Sequence, residues 1–91
     1  MLARMATAKR IRLSGHARRQ LPFRGATEEE VIEAIRSAEW HLAERGRLQC
    51  RHNFAFARTW NNRYYATKQV RPIFVDEPGE IVVVTVYAYY F

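Results

Sequence analysis

The sequence predicts an α+β domain in which two N-terminal helices pack on a four-stranded antiparallel sheet. Three observations carry this expectation. Apolar residues recur at helical spacing only in the first half, at Val31, Ile35, Ala38 and Leu42. Beyond Gly46 the pattern changes to the apolar–polar alternation of strands. Two turn signals, Asn61-Asn62 and Pro78-Gly79, then join those strands into a meander. Residues 1–91 are short enough for one domain, and an apolar fraction of 48% with twelve aromatic side chains argues for a packed core rather than disorder.

Residues 1–9 read as a flexible basic arm. Met1 to Arg12 is basic and acid-free like a transit peptide, but it is not Ser-rich and runs straight into patterned sequence. Lys9 to Leu13 alternates basic and apolar residues, as a short half-buried strand or the lead into a helix would. Ser14 caps a short helix through Ala17, Arg18 and Leu21, which Pro22 should end early, with Gly25 marking a turn. Thr27-Glu28-Glu29-Glu30 is a capping box that opens the second helix, its carboxylates placed at the positive end of the helix dipole. This helix should stop by Gly46, either persisting to Glu44 or breaking near Trp40.

Leu48 to Thr59 forms the first strand after that helix, and Asn61-Asn62 turns it into a return strand through Tyr64, Tyr65 and Thr67 to Val70. Pro72 lacks a donor, so a bulge or break is expected there. Glu77-Pro78-Gly79-Glu80 then joins Ile73-Phe74-Val75 to the last strand, Ile81 to Phe91. In that strand Val82, Val84, Val86 and Ala88 are expected to face the helices, leaving Thr85, Tyr87 and Tyr89 outward with Ile81, Val83 and Phe91.

The charge is unevenly placed. Residues 1–25 carry Arg4, Lys9, Arg10, Arg12, Arg18, Arg19 and Arg24 and no acid, whereas the other 66 hold eight basic and nine acidic side chains. All of the net charge of +6 therefore originates at the N-terminal end. Most of the cations are arginine, whose flat fork suits phosphate. A single cysteine excludes an internal disulfide and suits a reducing cytoplasm, and no apolar run is long enough for a membrane-spanning helix.

Two constellations carry candidate chemistry. In the first, His16 stands among Arg18, Arg19 and Arg24, a titratable imidazole beside phosphate-binding forks. Its plain alternative is a solvated basic face with a packed or capping histidine. The second is the outward sheet face, where Arg58, Tyr64 or Tyr65, Lys68, Arg71, Thr85 and Tyr87 are candidates to meet. Its alternative is a sheet surface rich in tyrosine because tyrosine favours strands. Cys50 and His52 share a strand face, but no zinc-like spacing accompanies them, so no metal site is expected. Neither a phosphate-cradling glycine loop nor a Gly-x-Ser-x-Gly elbow is present, which leaves nucleotide hydrolysis and acyl transfer unsupported.

The run Ser14-Gly15-His16-Ala17, Arg24-Gly25 and Thr27-Glu28-Glu29-Glu30-Val31, with Val84-Thr85-Val86-Tyr87 near the end, resembles the bacterial family called domain of unknown function 4258. The resemblance runs from Ile11 onward and is concentrated in the His-Ala and Arg-Gly block. That family is similar to the small ribonuclease toxins that include RelE and BrnT. The resemblance thus implies a RelE-like fold and a metal-independent endoribonuclease toxin without cofactor, acting on RNA, free or as ribosome-bound mRNA, and neutralised by a cognate antitoxin protein. His16, Arg24, Thr85 and Tyr87 are the matching positions. Where the family often has Arg four residues after the His, this chain has Gln20, and where it has a larger aliphatic after Arg-Gly, this chain has Ala26. Arg18 and Arg19 are then candidates to supply the missing charge.

On this reading the 2′-OH of RNA attacks the adjacent phosphate. His16, Arg24, Lys68 and Tyr87 are the expected catalytic groups, and Arg18, Arg19, Arg58, Arg71, Tyr65 and Thr85 the expected phosphate or substrate contacts. Two other readings stay open. One is an RNA- or DNA-binding module without catalysis, and the other a basic subunit that docks an acidic partner.

Overall fold

The computed structural model describes residues 9–91. The chain forms β1 (Arg10–Leu13), α1 (Gly15–Arg24), α2 (Glu28–Ser37), β2 (His41–Leu42), a turn at Glu44–Gly46, β3 (Leu48–Gln49), β4 (His52–Trp60), β5 (Arg63–Asp76) and β6 (Glu80–Tyr90). The sheet has six strands in the order β1-β6-β5-β3-β2, with β4 also paired to β5. The expected four-stranded antiparallel sheet is therefore corrected to a six-stranded mixed one, although the class remains α+β with both helices N-terminal. The mixed character comes from β1, which lies parallel to β6 from Arg10↔Glu80 to Leu13↔Val83. Parallel pairing needs a long connection, and almost the whole chain separates these two strands. Of the basic arm expected over residues 1–9, residues 1–8 lie outside the described residues. Lys9 donates to Asp76 Oδ1 at 2.7 Å and to the Glu77 carbonyl at 2.8 Å, tying the start of β1 to the β5–β6 turn.

Both helix starts follow their sequence signals. Ser14 Oγ accepts from the Ala17 amide at 3.1 Å. The Thr27 capping box is complete, with Thr27 Oγ1 accepting from Glu30 N and Glu30 Oε1 accepting from Thr27 N. The first helix ends later than expected, and the second takes the earlier of its two expected ends. α1 continues past Pro22 to Arg24, because the amides of Gly25 and Ala26 both close on the Leu21 carbonyl. α2 breaks near Trp40 rather than persisting to Glu44: it stops at Ser37, and the Trp40 indole donates to the Ile35 carbonyl at 2.8 Å and satisfies a last-turn acceptor. Leu42, which matched the helical stripe, instead stands 80% exposed in β2.

The expected single strand over Leu48–Thr59 is broken at Cys50-Arg51 into β3 and β4, both lying along the same edge of β5. Pro72, in turn, does not break β5. Its partner Val86 directs its backbone groups away from β5, so the Pro72 nitrogen faces the opposite side. There β3 has ended at Gln49 and β4 begins only at His52, so no ladder donor is required.

The bulge falls one strand over. Ile73 pairs Thr85 while Phe74 pairs Val83, leaving Val84 as the extra residue of β6. An inserted residue shifts the period-two phase, so Ile81 and Val83 face the helices before it and Val86 after it. The expectation for Val86 is met; Val82 and Val84 give way to Ile81 and Val83. These residues, with Val70 and Phe74 of β5, form the core against Val31, Ala34 and Ile35 of α2 and Ala17 of α1.

Candidate functional site

Beyond Leu13 no strand among the described residues lies beside the outer edge of β6, and α1 takes that place. Ser14 N donates to the Val83 carbonyl at 2.9 Å and starts the helix beside β6. Two turns later Gln20 Oε1 accepts from the Val86 amide at 2.8 Å, and Arg24 Nε donates to the Val86 carbonyl at 3.2 Å. Two side chains thus satisfy both backbone groups of an edge residue. The Val86 N–H needs an acceptor, which the Gln20 amide oxygen supplies and an arginine at position 20, a donor only, could not. His16 is exposed and lies four residues before Gln20, so helical spacing sets His16, Gln20 and Arg24 on one stripe. Ser14 at Val83 and Gln20 and Arg24 at Val86 lay α1 along this edge of β6.

Arg24 reaches Tyr87, its guanidinium carbon 5.4 Å from the ring centroid. Arg71 approaches the same ring from the β5 side, at 5.3 Å. Arg71 is held by neutral acceptors, Gln49 Oε1 at 2.7 Å and the Tyr89 hydroxyl at 3.2 Å. Among the described residues the ion pairs are Lys9–Asp76, Arg12–Glu80, Arg18–Glu28 and Lys68–Glu30, so neither Arg24 nor Arg71 has a carboxylate partner. Two like charges held around one aromatic ring, with no acid between them, leave an electrostatic demand for an anion.

A concave cleft of about 580 Å³ opens beside this pair on the face turned away from the helices. Arg71, Ile73, Thr85 and Tyr87 form its sheet side, and the hairpin from Leu42 to Arg47 forms the opposite wall. Arg45 and Arg47 were not singled out from the sequence, although two arginines around a glycine turn were the available signal. Gln20, Gln49 and Tyr89 were also missed, because their role is to orient other groups and leaves no local pattern.

The structure gathers Arg24, Arg71, Thr85 and Tyr87 but not the other expected residues. Lys68 is corrected from site to scaffold. It lies three residues before Arg71 on one regular strand, so the two point to opposite faces. The Lys68 ammonium is buried under α2, 2.8 Å from both Glu30 Oε2 and the Gly25 carbonyl. Arg58 lies over Phe56, and Tyr65 packs at 5.6 Å on Tyr90, so both belong to an aromatic cluster apart from the cleft. The Tyr90 hydroxyl in that cluster donates to the Arg24 carbonyl at 2.6 Å, and burial, followed by the Glu30 charge, raises its pKa. Tyr64 is exposed at the end of the same strand. Arg18 pairs with Glu28 at 2.9 Å, so its charge is already matched, and Arg19 is exposed on α1. Arg18 therefore does not supply the charge absent at Gln20.

Cys50 is fully buried and donates to the Ala34 carbonyl, and desolvation pushes its thiol up to about 12. His52 packs edge-on against Phe54. Among the described residues no three His, Cys, Asp or Glu side chains gather as a metal site would require. Likewise, no described helix is long and apolar enough to cross a membrane. Comparison with protein-family models, curated proteins and solved structures returns no match to this chain.

Proposed function

We propose that the face bearing Tyr87 binds the RNA backbone, and that the protein is a toxin-like, metal-independent endoribonuclease held in check by an antitoxin. The observation that carries the binding is the placement of Arg24 and Arg71, without carboxylate partners, around Tyr87. The cleavage rests in addition on the resemblance of the His16 and Arg24-Gly25 block to the ribonuclease toxins. In the proposed reaction the 2′ oxygen forms a bond to phosphorus as the bond to the 5′ oxygen breaks, leaving a 2′,3′-cyclic phosphate and a 5′-OH end. His16 exchanges a proton with one of these oxygens and water serves the other. Arg24 and Arg71 stabilise charge on the phosphorane, and Tyr87 holds the two guanidiniums in place. Lys68 has no part in it.

The test is RNA cleavage and binding by the wild type, His16→Ala and Arg71→Ala. His16→Ala is expected to keep RNA affinity and lose about 10²–10⁴-fold in cleavage rate. Arg71→Ala is expected to weaken binding and reduce the salt dependence of log K by about 0.7. Binding without cleavage by the wild type would identify a non-catalytic RNA-binding module, and absence of binding would reject the reading.

A further inference from the structure

The hairpin that walls the cleft carries a conformation its sequence does not favour. Glu44 to Arg47 is closed by Arg47 N donating to the Glu44 carbonyl at 3.2 Å. Its central residues are Arg45 (φ 62°, ψ 33°) and Gly46 (φ 72°). Consecutive positive φ values define a type I′ turn, which favours Asn, Asp or Gly at both positions. The other tight hairpin of this chain meets the same demand with Asn61 and Asn62, at φ 53° and 66°. Arg45 meets it with a long side chain and no local hydrogen bond to offset the steric cost of the left-handed region. Backbone strain of this kind clusters at ligand-binding positions, which makes the exposed Arg45 a candidate contact.

Three arginines line the cleft, Arg45, Arg47 and Arg71, against one acid, Glu44. Arg45 and Arg47 have no carboxylate partner among the described residues. Arg24 does not line the cleft but stands against the Tyr87 ring at its edge, so cations run from the β6 edge across Tyr87 to the hairpin tip. Leu48 pairs Phe74, so Arg47 lies at a level roughly four residues, or ~13 Å, along β5 from Arg71, too far for one phosphate to serve both ends. A duplex is read by elements that protrude into its grooves, whereas a concave, basic, aromatic-floored cleft admits a strand.

We infer that the β2–β3 hairpin is the second wall of the RNA site, with Arg45 and Arg47 holding backbone phosphates next to the one held by Arg24 and Arg71. The ligand class is accordingly single-stranded RNA rather than a mononucleotide or a duplex. This inference rests on the proposed RNA-binding reading of the Tyr87 face and extends it to a wall that the reading does not require.

The experiment measures affinity for a 2′-O-methyl oligouridylate, which lacks the attacking hydroxyl and is not consumed, across a salt series. The variants are Arg45→Asn/Arg47→Gln, which keeps a residue suited to the turn, and Arg71→Ala. A 2′-O-methyl duplex of the same length is the comparison ligand, and a thermal melt of each variant reports folding. The hairpin variant should melt no lower than the wild type, because Asn relieves the strained position. Its salt slope should fall by about 1.4, two contacts at ~0.7 each, with a loss of roughly 10–20-fold in affinity at about 0.15 M salt. The wild type should prefer the single strand to the duplex. An unchanged slope in the hairpin variant, with Arg71→Ala still impaired, would overturn the second wall and leave the Tyr87 site standing. Equal binding of duplex and single strand would overturn the ligand class. No binding to either by the wild type would reject both the inference and the reading beneath it.

Discussion

Replacing Lys68 by Met separates a scaffold residue from a site residue. In the structure the Lys68 ammonium has two partners, Glu30 Oε2 and the Gly25 carbonyl, each at 2.8 Å, and its side chain is 4% exposed. Methionine keeps most of the stem and removes the charge, which deletes a charge-assisted hydrogen bond and leaves Glu30 without its cation. Breaking a buried pair by removing one member costs ~3–5 kcal/mol. Glu30 retains 22% exposure and its capping bond to Thr27 N, so the lower end, about 3 kcal/mol, is expected. For a domain of this size that lowers Tm by roughly 12–24 °C. Thermal and urea melts of Lys68→Met, Glu30→Gln and the double variant give the coupling directly. The double variant should recover stability relative to Lys68→Met, because Gln is neutral and still accepts from Thr27 N. If Lys68→Met melts within about 3 °C of the wild type while RNA affinity or cleavage collapses, the scaffold assignment is wrong and Lys68 belongs to the site.

Two further outcomes follow from the same packing. Gly25 has φ 72°, and a Cβ there would meet the Tyr90 hydroxyl and approach the Trp60 ring to 2.8 Å. Gly25→Ala should therefore cost about 2–5 kcal/mol, from left-handed strain and overpacking together, read as a lowered urea midpoint. Cys50 contributes to alkaline sensitivity. Its thiol is raised from 9.0 to about 12 by burial, so above pH 9 the unfolded chain loses a proton that the folded chain keeps. Stability from this group is complete below pH 9 and declines by about 1.4 kcal/mol per pH unit between pH 9 and 12. Cys50→Ala should flatten that decline in melts taken across the alkaline range, and an equally steep decline in the variant would show that other groups cause it.

Local chemistry made much of the chain legible. The Ser14 cap, the Thr27 capping box and the Asn61-Asn62 turn are signals between residues within a few positions of one another, and each is realised. Gly25, expected at a turn, caps α1 in the left-handed conformation. Misplacements arose where long-range partners decided the outcome. The neighbouring strands leave Pro72 without a bond to lose, and a bulge against β5 decides which residues at the start of β6 face the core. The candidate site divides in the same way. Arg24, Arg71, Thr85 and Tyr87 were named from residue type and resemblance, as was His16 on the α1 stripe outside the cleft, whereas Arg45, Arg47 and the orienting amides of Gln20 and Gln49 came only from the folded arrangement.

By itself, then, the sequence determined an α+β chain with two capped N-terminal helices and a tyrosine-rich C-terminal strand, because caps, turns and apolar periodicity are encoded over short spans. Only the tertiary structure decided how the strands associate and which cations share a face. The parallel β1–β6 pair joins residues about seventy positions apart. The β6 bulge shifts the phase of that strand, so Ile81 and Val83 turn to the core while Thr85 and Tyr87 keep the outward face expected of them, beside Arg71. Alternation along a strand specifies two faces but not which one is covered. That choice belongs to the helices, and here they cover Lys68 and leave Arg71 to the cleft.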